Sequence, residues 1–301
     1  MGEVFDRIGL VVHPSRSLTR TVGTLEQWAA AAGVEVVRLS GSGSADGTSP
    51  MTVAAGCDLV IALGGDGTTL AALHAAAPAG TPVMGIACGS LGALTAVGAD
   101  RLTDALDRVA AGDAGRRELP ALRITGPVSE PLQAFNDVVL VRRGAGQVIV
   151  HVDAHGERIV RFAGDGVVIA TPLGSSGYTL AVGGPILHPE AQQIVTTPLA
   201  PHGGSCPPVV TAADGDLRIT LEPGYGGARV EVDGQPRGTV EPPAPEVFEV
   251  SHVPAAAQLI VLEGAESFWA GLRRRRIIID SPRILARDER EAAAADTAPA
   301  T

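Results

Sequence analysis

Aromatic residues are scarce in this sequence, at 3% of its 301 residues. A core with so few rings must be built mainly from valine, leucine, isoleucine and alanine. Only three cysteines occur, Cys57, Cys88 and Cys206, and no two of them form a CxxC pair. This odd count and spacing argue against a disulfide framework or a zinc site, so we expect buried, reduced thiols.

Positive charge is also in short supply. The chain has 23 lysines and arginines against 33 aspartates and glutamates, a net charge of -10. A nucleic-acid partner needs a basic surface, and a membrane span needs a run of about 18 apolar residues that is not found here. We therefore predict a cytoplasmic protein without a nucleic-acid or membrane partner. A small anionic ligand stays compatible, because a local patch can be basic on an acidic protein.

Short apolar runs alternate with helical patterns in the first third of the chain. This alternation predicts an α/β N-terminal domain, a parallel sheet with helices on both faces. From about residue 120 the strands follow one another without long helices, which predicts a β-rich C-terminal domain. We place the α/β domain at residues 1–122 plus 265–287, where the last segment is expected to return to it. The β-rich domain is placed at 123–264, and a disordered tail at 288–301.

The stretch LVIALGGDGTTL places one carboxylate, Asp66, among three glycines at the end of an apolar strand. A strand that opens onto a helix through glycines presents backbone N–H groups to anions, so phosphate binding is one interpretation. Asp66 would then bind a metal or accept a proton from a hydroxyl, because a carboxylate beside phosphates repels them. The alternative is a purely structural role, with Asp66 capping the helix at Thr69.

Two further stretches carry polar groups that suit a nucleotide. The segment 164–189 contains a second GDG and a loop of small residues, TPLGSSGY, which would admit a planar ring beside Tyr178. Asn136 and Asp137 stand side by side in a predicted strand and could bind a ribose diol. Taken alone, the first could be a tight crossover between strands and the second an ordinary turn.

Taken in order, these motifs resemble the NAD kinase family. The resemblance is carried by GGDGT, GSLGALT, Asn136-Asp137, the long block GDGVVIATPLGSSGYTLAVGGPILHP, PHGGSCPP and VDG, and it runs from about Leu59 to Trp269. The long block is the most specific of them, whereas turns like GGDGT also occur in lipid kinases and phosphofructokinases. The resemblance implies an NAD kinase-like fold and transfer of a phosphoryl group from ATP or polyphosphate to the 2′-hydroxyl of the adenosine ribose of NAD, giving NADP. Mg²⁺ would accompany ATP without a metal site made of protein ligands, and a homodimer or homotetramer is implied.

The resemblance also implies roles for individual residues. Asp66 would be the catalytic proton acceptor. Asn136 and Asp137 would hold the adenosine ribose and adenine, and Asp165 would contact the nicotinamide amide. The remaining implied contacts are the adenine pocket, with Thr171, Ser176, Gly177 and Tyr178, and the phosphate turn, with Gly64, Gly65, Gly67 and Thr68.

Several positions depart from the usual family pattern, among them Ser90, Ala93, Ala181 and Pro207. They alter the shape or charge of the pocket but leave Asp66, Asn136 and Asp165 in place. Two other functions therefore stay open. One is a divergent paralogue that phosphorylates another nucleoside or nucleotide hydroxyl or a lipid head group, and the other is a dinucleotide-binding sensor without turnover.

Overall fold

The computed structural model describes residues 5–40, 53–203, 205–264 and 266–296. The chain divides into two compact units, Met1–Ala265 and Glu266–Thr301. The two units differ in how many contacts their residues make within each unit, and no division falls near residue 122. The domain boundaries near residues 122 and 264 therefore stay a prediction.

The first unit contains seventeen described strands and four described α-helices. The strands are β1 (Arg7–Val12), β2 (Glu35–Arg38), β3 (Leu59–Gly64), β4 (Val83–Ala87), β5 (Thr95–Gly98), β6 (Gly115–Thr125), β7 (Leu132–Ala134), β8 (Asp137–Arg142), β9 (Val148–Ala154), β10 (Glu157–Gly164), β11 (Gly166–Ala170), β12 (Gln193–Leu199), β13 (Val209–Ala212), β14 (Leu217–Glu222), β15 (Ala228–Val232), β16 (Gln235–Val240) and β17 (Glu246–Val261). The helices are α1 (Thr19–Ala32), α2 (Asp66–Ala76), α3 (Leu102–Ala110) and α4 (Tyr178–Ala181).

The N-terminal half is built on parallel strands in the order β4-β3-β1-β2. Strands β3 and β4 are buried along their whole length, as their continuous apolar sequences predict. Helix α2 packs in one apolar cluster with residues of this sheet, and α1 and α3 pack in another. The predicted parallel sheet with helices on both faces is confirmed.

The C-terminal half is antiparallel and β-rich, which is also as predicted. Strands β13-β12-β11-β8-β15-β16 form a six-stranded sheet, and β10-β9-β14-β17 extend the first sheet. The two sheets share a large cluster of buried aliphatic residues that includes Leu140, Val152, Val167 and Ile219. The cluster also contains the aromatic ring of Phe248, which is fully buried.

Strand β17 joins the two halves, because it pairs in parallel with β4 at Leu259 and Val83 and antiparallel with β14. The sequence predicts only the second part of this strand. Pro254 interrupts the strand pattern, and the structure accommodates it at a register shift between Val253 and Ala257. Proline is tolerated at such a bulge because no ladder hydrogen bond is required of it there.

The segments VDAHGERI and VDGQPR each predict a hairpin turn, and the structure has both. The β9–β10 turn has positive φ at His155 (52°) and Gly156 (79°), and the β15–β16 turn has positive φ at Asp233 (48°) and Gly234 (75°). Two successive positive φ angles are the signature of a type I′ hairpin, whose twist matches that of the strands. The second hairpin lies at the site described below.

The second unit contains helices α5 (Phe268–Arg274) and α6 (Pro282–Asp296). Ser267 caps α5 by accepting a hydrogen bond from the Ala270 amide. Helix α6 extends through residues 288–296 of the predicted disordered tail, in a sequence rich in alanine and charge that favours helix. Residues 297–301 of that tail lie outside the described residues. Over the described ranges, no helix has the length and apolar character needed to cross a membrane.

Candidate active site

The GGDGT turn lies where strand β3 passes into helix α2. Strand β3 ends at Gly64, Gly65 is the extended residue before the helix, and Asp66 is the first helical residue. The Thr69 amide and hydroxyl both donate to the Gly65 carbonyl, at 3.0 and 3.2 Å. The residue at the N-cap position is Gly65, which has no side chain, and Asp66 lies one position inside the helix.

The Asp66 carboxylate is held by a loop more than twenty-five residues further along the chain. Its Oδ2 accepts from the Ala93 amide at 3.0 Å and its Oδ1 from the Leu94 amide at 2.9 Å. A Cβ on Gly92 would lie 2.0 Å from Asp66 Oδ1, so only glycine allows the loop to approach so closely. The family-like segment GSLGALT therefore fixes the direction of the Asp66 side chain through backbone atoms.

A cavity of about 500 Å³ opens beside this turn. The residues on either side of Asp66 line it, together with a cationic side chain, Arg16, and an amide side chain, Gln235. Arg16 is oriented by a hydrogen bond from Nη1 to the Cys88 carbonyl oxygen, at 3.0 Å. The described residues that line the cavity are Val11, Val12, His13, Pro14, Arg16, Gly65, Gly67, Thr68, Ala71 and Gln235.

Three of the four predicted phosphate-turn residues therefore face one cavity. Gly65, Gly67 and Thr68 line it, whereas Gly64 is buried against the Thr68 side chain. A Cβ on Gly64 would lie 2.1 Å from Thr68 Oγ1. The start of a helix, exposed glycine amides and an arginine together form an environment that suits an anion.

The Asn136–Asp137 pair sits in a turn organised by a single carboxylate. Asp233 Oδ2 accepts from the Phe135 amide at 2.9 Å, and Oδ1 accepts from the Asn136 and Asp137 amides at 2.7 and 3.0 Å. In return, the Asp233 amide donates to the Asp137 carbonyl at 2.9 Å. These bonds leave no freedom for the backbone that presents the Asn136 and Asp137 side chains.

The TPLGSSGY loop closes over the same turn. The Thr171 amide donates to the Asn136 carbonyl at 2.9 Å, and the Thr171 hydroxyl donates to the Phe135 carbonyl at 2.6 Å. A Cβ on Gly174 would meet the Asn136 carbonyl oxygen at 2.1 Å. The two motifs, which are more than thirty residues apart in sequence, are thus adjacent.

The predicted adenine-pocket residues differ in their exposure. Thr171 is buried with its hydroxyl engaged on the backbone, so it supports the loop from within. Ser176 is half-buried and donates to the Leu173 carbonyl at 3.4 Å, while Gly177 is exposed. Tyr178 is 42% exposed, which leaves its ring available to a planar ligand.

Asp165 lies at the opposite end of strand β11 from this cluster. Asp137 pairs with Ala170 at one end of the strand, and Val141 pairs with Gly166 at the other. The five residues of β11 lie between Asp165 and Thr171, so the two are six residue steps apart, which is about 20 Å. Asp165 is 38% exposed and forms an ion pair with Arg142, from Nε to Oδ1 at 2.5 Å.

Asp137 is the buried acid of the cluster, at 7% exposure. Loss of hydration, reinforced by the negative charges of Asp233 and Glu231, raises the pKa of the Asp137 carboxyl from 3.8 to about 7. A carboxyl with this pKa changes its charge near neutral pH. It is therefore a group whose protonation a bound ligand can alter.

Asp233 and His74 are functional candidates that the sequence-based assignment of roles leaves out. His74 Nε2 lies 2.7 Å from Asp233 Oδ2, and the His74 ring meets Phe135 edge-on. The VDG motif of the resemblance contains Asp233, and its hairpin turn is predictable. Its contact with residues 135–137 is not, because nearly a hundred residues intervene.

Comparisons with known proteins match the parts of the chain that contain these motifs. A family model described as the ATP-NAD kinase N-terminal domain matches residues 8–114, and one described as the ATP-NAD kinase C-terminal domain matches residues 135–262. An NAD kinase from Citrifermentans bemidjiense is 34% identical over 223 residues, which cover 70% of this chain and 77% of that protein. This chain belongs to the NAD kinase family. An NAD kinase from Heliobacterium modesticaldum is 39% identical over 184 residues, which cover 60% of this chain and 65% of that protein.

Solved structures agree with the NAD kinase fold. A crystal structure of yeast NADH kinase complexed with NADH has a TM-score of 0.74 at 20% identity, covering 93% of this chain and 89% of that chain. An NAD kinase from Archaeoglobus fulgidus in complex with ATP has a TM-score of 0.71 at 22% identity, covering 89% and 98%. At these identities the similarity supports the fold alone.

Among the described residues, no three or more histidine, cysteine, aspartate or glutamate side chains come together as metal ligands.

Proposed function

We propose that this chain transfers the γ-phosphoryl group of ATP to the 2′-hydroxyl of the adenosine ribose of NAD, giving NADP. The observation that carries the proposal is the Asp66 carboxylate, which is fixed by the Ala93 and Leu94 amides and belongs to a residue flanked by Gly65 and Gly67, two residues that line the cavity. A carboxylate on a rigid support at an anion-binding turn is the arrangement that hydroxyl phosphorylation requires. Membership of the NAD kinase family supports the same reaction.

The phosphate donor is assigned to the cavity beside GGDGT. The amides at Gly65 and Gly67 and the start of α2 favour an anion, and Arg16 supplies a positive charge. Gln235 supplies a neutral side chain that can donate or accept a hydrogen bond. ATP enters with Mg²⁺ as its counter-ion, and inorganic polyphosphate is the alternative donor.

The acceptor is assigned to the cluster formed by Asn136, Asp137 and the TPLGSSGY loop. An amide and a carboxylate side by side can bind both hydroxyls of a ribose, since one donates and the other accepts. The exposed Tyr178 ring and its neighbours Ser176 and Gly177 are assigned to adenine. Asp165 is assigned to the nicotinamide amide and lies at the far end of β11, so the dinucleotide would have to extend along that strand.

The reaction needs one proton transfer and one phosphoryl transfer. The ribose O–H bond breaks and its proton passes to the Asp66 carboxylate, while the hydroxyl oxygen forms a bond to the γ-phosphorus. The bond from that phosphorus to the β,γ-bridging oxygen breaks, and ADP leaves with its magnesium. Asp66 accepts the ribose proton on a carboxylate whose direction is fixed by the Ala93 and Leu94 amides.

One assay tests the proposal. The purified protein is incubated with Mg²⁺ and ATP, or with polyphosphate, and with NAD, NADH, a nucleoside panel or diacylglycerol vesicles as acceptor. Product is identified by mass and by its reaction with an NADP-specific dehydrogenase. The proposal predicts NADP from NAD; phosphorylation of another hydroxyl, or binding of NAD without turnover, would favour the paralogue or the sensor instead.

A cytoplasmic location and a homodimer or homotetramer are part of the same proposal. Oligomeric state can be read from the mass in solution by light scattering at several protein concentrations. A monomer at every concentration would remove the oligomer from the proposal without affecting the reaction.

A further inference from the structure

We infer that Asp233 and His74 are positioning residues that tie helix α2, and with it Asp66, to the turn that presents Asn136 and Asp137. The inference rests on the proposed function, because it concerns the relation between the proton acceptor and the ribose site. It assigns a role to a buried hydrogen-bonded pair for which no substrate contact is proposed.

The Asp233 carboxylate is buried and binds the backbone of residues 135–137. Its side chain is 2% exposed, and three successive amides, those of residues 135–137, donate to its two oxygens. The type I′ hairpin fixes its position, with φ of 48° at Asp233 and 75° at Gly234. A carboxylate that accepts several amide bonds in the interior resists displacement, because any lost partner would leave an uncompensated buried charge.

His74 connects the Asp233 carboxylate to helix α2, whose first residue is Asp66. It lies eight residues after Asp66 on α2, and its Nε2 is 2.7 Å from Asp233 Oδ2 with the side chain only 11% exposed. Its ring also packs edge-on against Phe135, with centroids 5.1 Å apart and planes at 70°. Because an α-helix is stiff over two turns, fixing His74 constrains where the Asp66 end of α2 lies.

The β15–β16 hairpin, which contains Asp233, also reaches the cavity beside the GGDGT turn. Gln235, two residues after Asp233 and the first residue of β16, lines the cavity together with Gly65, Gly67 and Thr68. The hairpin therefore contacts the turn at residues 135–137 and His74 of helix α2 through Asp233, and it reaches the cavity through Gln235. A shift of this hairpin would change all three at once.

Transfer of a phosphoryl group is sensitive to such a shift. A misplacement of about 1 Å between reacting groups can cost about 100-fold in rate, even when the change lies far from the chemistry. A residue that only supports the fold would instead change the free energy of unfolding and leave the rate of each folded molecule unaltered. The rate per folded molecule therefore separates positioning from simple support.

The test compares His74→Phe with His74→Gln. Phenylalanine keeps a ring against Phe135 but cannot bond Asp233, whereas glutamine can donate an N–H to the carboxylate. We expect His74→Phe to lower kcat per folded molecule by about 10-fold or more, with the KM for ATP within about twofold of wild type. His74→Gln should recover kcat to within about threefold, because the hydrogen bond is restored.

The matched control is His151→Phe. His151 on β9 forms a similar bond with Glu222, at 2.6 Å and 16% exposure, but it is part of the antiparallel sheet and lines neither the cavity nor the acceptor turn. The free energy of unfolding of His151→Phe should fall by about as much as that of His74→Phe, while its kcat should equal that of wild type. If His74→Phe does not fold, Asp233→Asn replaces it, since the amide nitrogen cannot accept from the Phe135 amide, and the same loss of kcat is expected.

Three outcomes decide the inference. Wild-type protein without NAD phosphorylation would remove the proposed function and this inference together. An active wild type whose His74→Phe variant keeps its kcat, or whose His151→Phe control loses as much, would overturn the positioning role alone. A selective loss in His74→Phe with recovery in His74→Gln supports it.

Discussion

Replacing Asp137 with asparagine should stabilise the protein at neutral and alkaline pH. The Asp137 side chain is 7% exposed, and loss of hydration together with the charges of Asp233 and Glu231 raises its pKa from 3.8 to about 7. The difference corresponds to about 4 kcal/mol of unfavourable free energy in the ionised folded protein. Relaxation around the charge reduces this figure, so it is an upper bound.

The sign follows from proton binding. Below about pH 4 the carboxyl is protonated in both the folded and the unfolded chain, and its ionisation penalises neither. As the pH rises from about 4 to about 7, the unfolded chain releases its proton first, so the free energy of unfolding falls. Above about pH 7 both states are ionised and the full penalty remains. Asparagine does not titrate and escapes this loss.

Urea unfolding at pH 5 and pH 8 measures the effect. The stability of Asp137→Asn relative to wild type should increase between the two values, by up to about 3 kcal/mol. Asp104→Asn is the control, because Asp104 pairs with Arg101 on the surface at 55% exposure and its replacement should change little. A stability difference for Asp137→Asn that stays constant from pH 5 to pH 8 would refute the reasoning.

The same titration predicts a property of substrate binding. A ribose hydroxyl donates a stronger hydrogen bond to the ionised Asp137 carboxylate than to the neutral carboxyl, so the affinity for NAD should weaken as the pH falls below about 7. The limit is about tenfold for each pH unit. Asp137→Asn should abolish this dependence, and an unchanged pH profile of the KM for NAD in that variant would exclude Asp137 as the titrating group.

Two further predictions concern the phosphate turn. Gly92→Ala places a Cβ 2.0 Å from Asp66 Oδ1 and must displace the carboxylate or its loop, so kcat should fall by about 10-fold or more in protein whose circular dichroism is unchanged. Arg16→Ala removes the positive charge from the cavity, and the KM for ATP should rise by about 10-fold, the value of one charge-assisted hydrogen bond, with the KM for NAD unaltered. Steady-state kinetics with each substrate varied in turn checks both, and an Arg16→Ala effect on NAD alone would place the donor elsewhere.

Local patterns made much of the fold predictable. The continuous apolar run of β3 and the glycines after it predict a buried strand that opens onto a helix, and the structure has both. The turns at His155 and Asp233 are predictable because each is followed by glycine and lies between strand-like runs. The sequence predicts only the part of β17 that follows Pro254, because the bulge that admits this proline depends on pairing with β6.

Long-range contacts set the parts of the site that the sequence does not reveal. The sequence indicates Asp66 as a candidate functional residue, because it is the one carboxylate among three glycines at the end of an apolar strand. Its amide partners at Ala93 and Leu94, however, come from another loop. Asp233 makes its bonds to a turn 96 to 98 residues away, so no local pattern indicates them. His74 looks like an ordinary polar residue on an alanine-rich helix, and only the fold brings it to Asp233.

The role of Asp66 is tested most directly by comparing Asp66→Asn with wild type in two measurements on the same samples: kcat at saturating NAD and MgATP, and the dissociation constant for NAD by calorimetry. Asparagine keeps the size of the side chain and an oxygen for one amide bond but cannot take the ribose proton. The kcat should fall by about 10²–10⁴-fold, the usual contribution of a general base, while NAD binds as before. An undiminished kcat, or a loss of NAD binding large enough to account for the lost activity, would contradict the assignment.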